Sequence, residues 1–310
     1  MGPRPVSKWK RPAIRWGADP VVGDELAVVT GGSRGIGYAV ARELAASGYR
    51  VVLTSRDQAA ADHAAAAIAA EVGRRGSVGG ASLELSSFDS IAAFASEISH
   101  EHRLAVLVNN AGVSPRAYAT TETGFESHFG VNYIGHFLLT EKLLPEIQAS
   151  GGAVFSIGSL SNVLATKKRL SRNLVDVATV QRHYHPVLQY ATSKSALHLY
   201  MRHLVDRGNA GAKWRRAWSV YPGFVDTAIY DDYGFGAKAV AKALGVPAER
   251  TGNVVVNQLK RRTTPTKFYV GAQFPLIESL VTRSDQFAEA FYLKTCECLS
   301  VAPYSGGRRL

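Results

Sequence analysis

The chain has 310 residues, 46% of them apolar, and only two cysteines, so it can bury a sizeable core without a disulfide framework. Its 36 basic and 25 acidic side chains leave a net charge of +11, which admits nucleic acid, an anionic membrane surface or an anionic small molecule as partner. No stretch approaches the ~20 continuous apolar residues of a membrane helix, and Cys296-Glu-Cys298 has no second cysteine pair with which to build a zinc site.

Arg4, Lys8, Lys10, Arg11 and Arg15 precede the first acid, Asp19, so residues 1–23 read as a basic, flexible or draped arm. It lacks the apolar core of a secretory signal, and Pro3, Pro5 and Pro12 oppose the amphipathic helix of a mitochondrial presequence. The expected location is the cytoplasm, with organelle import as the alternative.

An apolar strand, Leu26–Thr30, then runs into a glycine-rich turn ending at Gly37, and Tyr38–Ser47 is helical. Gly31, Gly35 and Gly37 carry no Cβ and adopt φ > 0 freely, so backbone can approach a pyrophosphate closely. The free N–H groups that open the helix face the anion. Further strands are predicted at Val51–Thr54, Ser82–Leu85, Leu104–Asn109, Ala153–Ile157 and Trp218–Tyr221, with helices at Ala59–Val72 and Ser87–His100 between them. The strands are short, often rich in valine and mostly not alternating, as in a parallel sheet covered on both faces. Repeated β-α-β units predict an α/β protein, a doubly wound parallel sheet in a three-layer α/β/α domain over residues 24–275, with its ligand beyond the carboxyl ends of the strands. Residues 224–250, with Tyr230-Asp-Asp-Tyr-Gly-Phe-Gly236 and a helical pattern at Ala237–Leu244, read as an insertion that roofs a substrate site. Residues 276–310 read as a C-terminal extension.

Four groups follow the glycine turn along this alternation: Asn109-Asn-Ala-Gly112, Asn132, Ser159 and Tyr190-Ala-Thr-Ser-Lys194. Tyr190–Lys194 reads as the opening of another helix, on which Tyr190 and Lys194, four apart, share one face. A nearby ammonium favours the phenolate, and a fall of about two to three units from a starting pKa of ~10 poises a tyrosine as a general acid or base near neutral pH. A serine hydroxyl can orient and polarise a carbonyl oxygen. Singly, each group has a plainer reading: a solvated surface pair, a turn serine, a helix hydrogen-bonder, an Asn-Gly turn. Their joint occurrence in this order carries the signal.

On these motifs the chain resembles the short-chain dehydrogenase/reductase family over roughly residues 24 to 275. It has that family's Thr-Gly-x-x-x-Gly-x-Gly at Thr30–Gly37, its Asn-Asn-Ala-Gly at Asn109–Gly112, its tetrad at Asn132, Ser159, Tyr190 and Lys194, and its Pro222-Gly223 turn followed by Thr227. The stretch Glu122–Thr140 resembles the retinol-dehydrogenase-like branch. The resemblance implies a Rossmann fold and an oxidoreductase that moves a hydride between a nicotinamide and a carbonyl or alcohol. Tyr190 would exchange a proton with the substrate oxygen, Lys194 would lower the tyrosine pKa and bind the nicotinamide ribose, Ser159 would hold the carbonyl oxygen, and Asn132 would support a water in the proton relay. The implied cofactor contacts are Thr30, Gly31, Ser33, Arg34, Gly35, Ile36, Gly37, Ser55, Arg56, Glu84, Leu85, Asn110, Ala111, Gly112, Tyr190, Lys194, Pro222, Gly223 and Thr227. Glu84 stands where relatives commonly carry an aspartate near the adenine.

An NAD site usually places an acid at the end of the second strand, on the ribose 2′-hydroxyl. Here Ser55 and Arg56 stand there, with Arg34 in the glycine turn, and a guanidinium can grip a 2′-phosphate. The expected cofactor is therefore NADP(H), with Asp57 as the one residue that argues otherwise. Phe224, Ile229, Tyr230, Tyr233 and Phe235 suggest an apolar, partly aromatic roof suited to an aldehyde, a ketone or a retinoid- or steroid-like substrate; core packing explains them as well. Ser159 and Tyr190 are further apart than in most members, and the stretch between them holds Lys167, Lys168, Arg169, Arg172 and His183-Tyr-His185. Neither basic group is interleaved with aromatics like a single-strand groove, so no nucleic-acid partner is expected. A homo-oligomer rests on family analogy alone. The rival reading is a catalytically silent nucleotide-binding sensor or scaffold, which has no chemical reason to keep all four tetrad groups.

Overall fold

The computed structural model describes residues 14–16, 25–101, 103–207, 216–223, 245–261, 269–271, 281–305 and 308–309. In chain order the described elements begin β1 (Glu25–Val29), α1 (Gly35–Ala46), β2 (Arg50–Ser55), α2 (Gln58–Glu71), β3 (Val78–Ser82), α3 (Phe88–Glu101) and β4 (Arg103–Asn109). A short α4 (Ser127–Phe129) and a π-helical turn (Gly130–Gly135) lead into α5 (His136–Ala149) and β5 (Ala153–Ile157). A 3₁₀ turn (Leu160–Leu164), α6 (Lys167–Val175), α7 (Val177–Arg182) and α8 (Pro186–Arg207) follow. After β6 (Ala217–Tyr221) come α9 (Glu249–Lys260), β7 (Tyr269–Gly271) and α10 (Asp285–Leu299), then a small hairpin, β8 (Tyr304–Ser305) with β9 (Arg308–Arg309).

The main sheet has seven parallel strands in the order β3-β2-β1-β4-β5-β6-β7. The winding reverses between β1 and β4, and an open α/β sheet binds its ligand in the crevice at that reversal. Successive side chains of β1 serve the two faces. Leu26 and Val28 join a core with Phe94, Leu107, Phe137 and Tyr200. Ala27 and Val29 join another with Val40, Leu44, Ile68, Phe155 and Trp218. Both faces are buried, which is why the strands lack the alternation of a half-exposed sheet.

The third strand lies earlier than predicted: it is Val78–Ser82, and Leu83–Leu85 leads away from it. Its glycines disguise it. A Cβ on Gly80 would lie 2.6 Å from the backbone of Ala61 and Asp62, and one on Gly79 would lie 2.9 Å from Ile14. Helix α2 and the 14–16 segment approach so closely that a strand of bulky residues is excluded. Arg15 bridges to Gly80, and the Arg50 guanidinium sits 4.2 Å from the Trp16 ring centre. Strand β7 was also missed. Helix α9 packs on α1, where a Cβ on Gly252 would lie 2.9 Å from Ala39 O. Of the expected roof at 224–250, residues 224–244, with Thr227, Phe224, Ile229, Tyr230, Tyr233, Phe235 and the helical pattern at 237–244, lie outside the described residues, and Glu249 already opens α9.

The C-terminal helix α10 is held by polar contacts in an otherwise apolar interface. Tyr133 Oη and Thr295 Oγ1 are 2.8 Å apart, and Glu141 accepts from Tyr200 at 2.8 Å and from Tyr292 at 3.4 Å. Among the described residues no helix is long and apolar enough to cross a membrane.

Candidate active site

A cleft of about 1150 Å³ opens at the carboxyl ends of the strands. Its lining includes the glycine turn, the loop after β4, Ser159, Tyr190, Lys194, Pro222 and Gly223.

The glycine turn is built for a close ligand. Gly31 and Gly35 have φ of +64° and +58°, which L side chains adopt only with strain. A Cβ on Gly37 would lie 2.3 Å from Gly31 O and 2.4 Å from Asn110 Nδ2. The start of α1 carries no side-chain cap and no acid in its first turn, so its N–H groups are left for an anion. Asn110 ties the turn to the loop after β4, donating from Nδ2 to Thr30 O (2.8 Å) and Gly31 O (3.0 Å). These features fit a dinucleotide pyrophosphate. Gly37→Ala is expected to destabilise the protein by roughly 1–3 kcal/mol through overpacking and to abolish dinucleotide binding, read by thermal unfolding and ligand titration.

Around the carboxyl ends of β1, β2 and β3, Ser33, Arg34, Ile36, Ser55, Arg56, Glu84 and Leu85 all line the cleft, and both arginines are exposed. The Asp57 carboxylate is spent as the cap of α2, accepting from Ala59 N (2.7 Å) and Ala60 N (3.2 Å). Glu84 folds onto its own turn, accepting from Ser86 N (3.0 Å) and Ser86 Oγ (2.8 Å).

The tetrad residues converge from different elements. Tyr190 lies in the second turn of α8, which begins at Pro186 rather than at Tyr190. Lys194, one turn on, is buried, donates to Ile157 O (2.9 Å), and holds Nζ 5.8 Å from the Tyr190 ring centre. Ser159 follows β5 and caps the 3₁₀ turn, its Oγ accepting from Ser161 N (3.2 Å) and Ser161 Oγ (3.0 Å). Asn132 lies in the π-helical turn, a local irregularity frequent at functional sites. Its side chain faces the loop after β4, accepting from Val113 N (2.8 Å) and donating to Val113 O (3.0 Å) and Ser193 Oγ (3.0 Å). Ser193 Oγ in turn donates to Tyr190 O (2.8 Å). A Cβ on Gly112 would sit 3.3 Å from Asn132 Oδ1 and 3.6 Å from Lys194 Nζ, so glycine keeps that passage open.

Burial pushes the Lys194 pKa down to about 8 from 10.5. The unfolded chain therefore holds more protons than the folded one between these values, and stability rises with pH across that window. Below pH 8 the buried cation carries its full cost. Lys194→Met is expected to stabilise the ligand-free protein at pH 7 by about 2–3 kcal/mol while removing turnover, and thermal unfolding at pH 7 and pH 10 checks it: the gain shrinks at the higher pH.

The long stretch between Ser159 and Tyr190 forms α6 and α7, anchored by Leu170, Leu174 and Val180, with Lys167 and Lys168 exposed. The Tyr184 hydroxyl donates to Pro115 O (2.9 Å) and pins the loop after β4. Two groups with no assigned role in the sequence reading prove to be structural neighbours of the tetrad. Glu126 is buried and accepts from His128 N (3.0 Å), Phe129 N (3.1 Å) and Gln189 Nε2 (2.8 Å), beside Tyr190. His136 is buried between Thr30 and Asn132. Helix-period spacing after Asn132 was its only sequence signal. Among the described residues no cluster of His, Cys, Asp and Glu could hold a metal ion.

Residues 25–170 match the family described as short chain dehydrogenase. The chain is 32% identical to the human polyprenol dehydrogenase over 285 residues, covering 90% of this chain and 86% of that one. It is 37% identical to mouse retinol dehydrogenase 12 over 203 residues, 65% of this chain and 61% of the relative, so it spans less than two thirds of that relative's length. Among solved structures, a metagenomic short-chain oxidoreductase in complex with NADP superposes with a TM-score of 0.58 at 26% identity, over 80% of this chain and 96% of that one.

Proposed function

We propose, because this chain belongs to the short-chain dehydrogenase/reductase family, that it is an NADP(H)-dependent oxidoreductase acting on an apolar carbonyl or its alcohol. The observation that carries the reading is one cleft holding an uncapped helix N-terminus, two exposed arginines, and Tyr190 with Lys194 and Ser159. NADPH, when bound, supplies the hydride.

The chain's own residues do the rest. The first turn of α1 and the glycine turn hold the pyrophosphate. Arg34 and Arg56 would hold the 2′-phosphate, and the cap geometry of Asp57 keeps its carboxylate on α2. Ser159 Oγ holds the substrate oxygen. The Tyr190 phenol gives that oxygen a proton in reduction and takes one in oxidation. Lys194 presents a positive charge to the tyrosine and so favours its ionised form. Asn132, braced by Val113, keeps the surrounding loop in place and supports a water between Lys194 and bulk solvent.

Val113, Pro115, Ala119 and Val131 supply apolar lining beside Ser114, Thr120, Thr121 and Ser127 at the substrate end of the cleft, and this apolar share supports an aldehyde, ketone, retinoid-like or steroid-like substrate. The proposed location is the cytoplasm. Purified protein is expected to oxidise NADPH in the presence of aliphatic and aromatic aldehydes and ketones. Tight NADPH binding with no oxidation against any carbonyl would instead support the silent sensor.

A further inference from the structure

His136 touches neither the proposed substrate position nor the cleft, yet it lies wholly buried between the two halves of the site. Thr30 Oγ1 receives two backbone donors, Asn110 N (2.9 Å) and Ala111 N (3.0 Å), and lies 2.9 Å from His136 Nε2. A backbone carbonyl only accepts, so the ring nitrogen facing Asn132 O carries the proton and Nε2 is the unprotonated acceptor; the Thr30 hydroxyl, its lone pairs taken, is the donor, with Val108 O at 3.3 Å as its other acceptor. The proton then resides on Nδ1, which donates to Asn132 O at 3.0 Å. In the π-helical turn the His136 N–H goes to Tyr133 O, not to Asn132 O as a regular α-helix requires. Burial, with the Lys194 charge adding to it, pushes the His136 pKa down to about 3, so one neutral tautomer persists at working pH.

We propose that His136 is a positioning residue that couples the dinucleotide loop to the tetrad, an inference that rests on the oxidoreductase reading. One ring nitrogen fixes the Thr30 hydroxyl, and through it the peptides of Asn110 and Ala111 beside the glycine turn. The other fixes the Asn132 peptide, and through the Asn132 side chain it bears on Val113, Ser193 and the Tyr190 backbone. The two ends can be cut separately. An asparagine amide lies as many bonds from Cα as Nδ1 does, and a glutamine amide as many as Nε2. His136→Asn therefore keeps the Asn132 end, and His136→Gln keeps the Thr30 end.

The test is NADPH titration and steady-state kinetics of both variants with the fastest carbonyl found for the wild type, alongside thermal unfolding. His136→Gln is expected to bind NADPH as the wild type does and to lose about tenfold in kcat, and His136→Asn to show the converse, tenfold being near the worth of one hydrogen bond. Wild-type values in both variants would overturn the proposal. So would a loss of affinity and kcat together in proportion to a lowered Tm. A wild type that turns over no carbonyl contradicts the oxidoreductase reading instead, and the NADPH dissociation constants of the two variants then decide the coupling to the dinucleotide loop.

Discussion

Tyr190→Phe is expected to lower kcat by about 10²–10⁴-fold, the range of a lost general acid, while leaving the NADPH dissociation constant near that of the wild type. The ring stays in place in this variant. It contacts the His128 ring edge-on at a centroid distance of 6.3 Å, and the variant keeps the helix, the Ser193 bond to Tyr190 O, and Lys194 with its Ile157 O bond. Only the transferable proton is lost. Steady-state kinetics combined with ligand titration separates the two quantities. A kcat within a few fold of the wild type would place the acid elsewhere.

Arg56→Asp is expected to weaken NADPH binding by roughly 30- to 100-fold and NADH binding by no more than a few fold, because a charge-assisted hydrogen bond to the 2′-phosphate is replaced by repulsion. The geometry makes this a clean comparison. Arg56 is exposed and lines the cleft, while the neighbouring carboxylate of Asp57 is held by the α2 backbone. Parallel titrations with the two dinucleotides read the ratio, and equal losses would remove the basis for preferring NADP(H). Arg34, in the glycine turn, lines the same cleft and is expected to behave in the same sense with a smaller effect.

Much of the site was legible because its chemistry depends on local spacing. Tyr190 and Lys194 are one helical turn apart wherever α8 begins, so a start at Pro186 rather than Tyr190 changes nothing at the cleft. The glycine turn was legible because positive φ and close approach demand glycine. What was not legible depends on contacts between distant segments. Strand β3 was misplaced because Gly79 and Gly80 are dictated by the closeness of α2 and of Ile14, which no local pattern reveals. The role of Asp57 turned on whether its carboxylate met a ligand or a helix end, and the sequence leaves both open. Asn132 was recognised, but its π-helical setting and the buried His136 beneath it arise from tertiary packing that joins residues 106 positions apart.

Hydride transfer in this cleft to a carbonyl carbon, with Tyr190 supplying the proton, leaves a trace that an isotope label records. Its most direct test is the fate of a deuterium carried at the transferable position of NADPH, followed by mass spectrometry of the product. The expected product is an alcohol labelled once on the former carbonyl carbon, formed by the wild type and not by Tyr190→Phe. Bound NADPH that delivers no label to any carbonyl, or equal label delivery by both proteins, would contradict it.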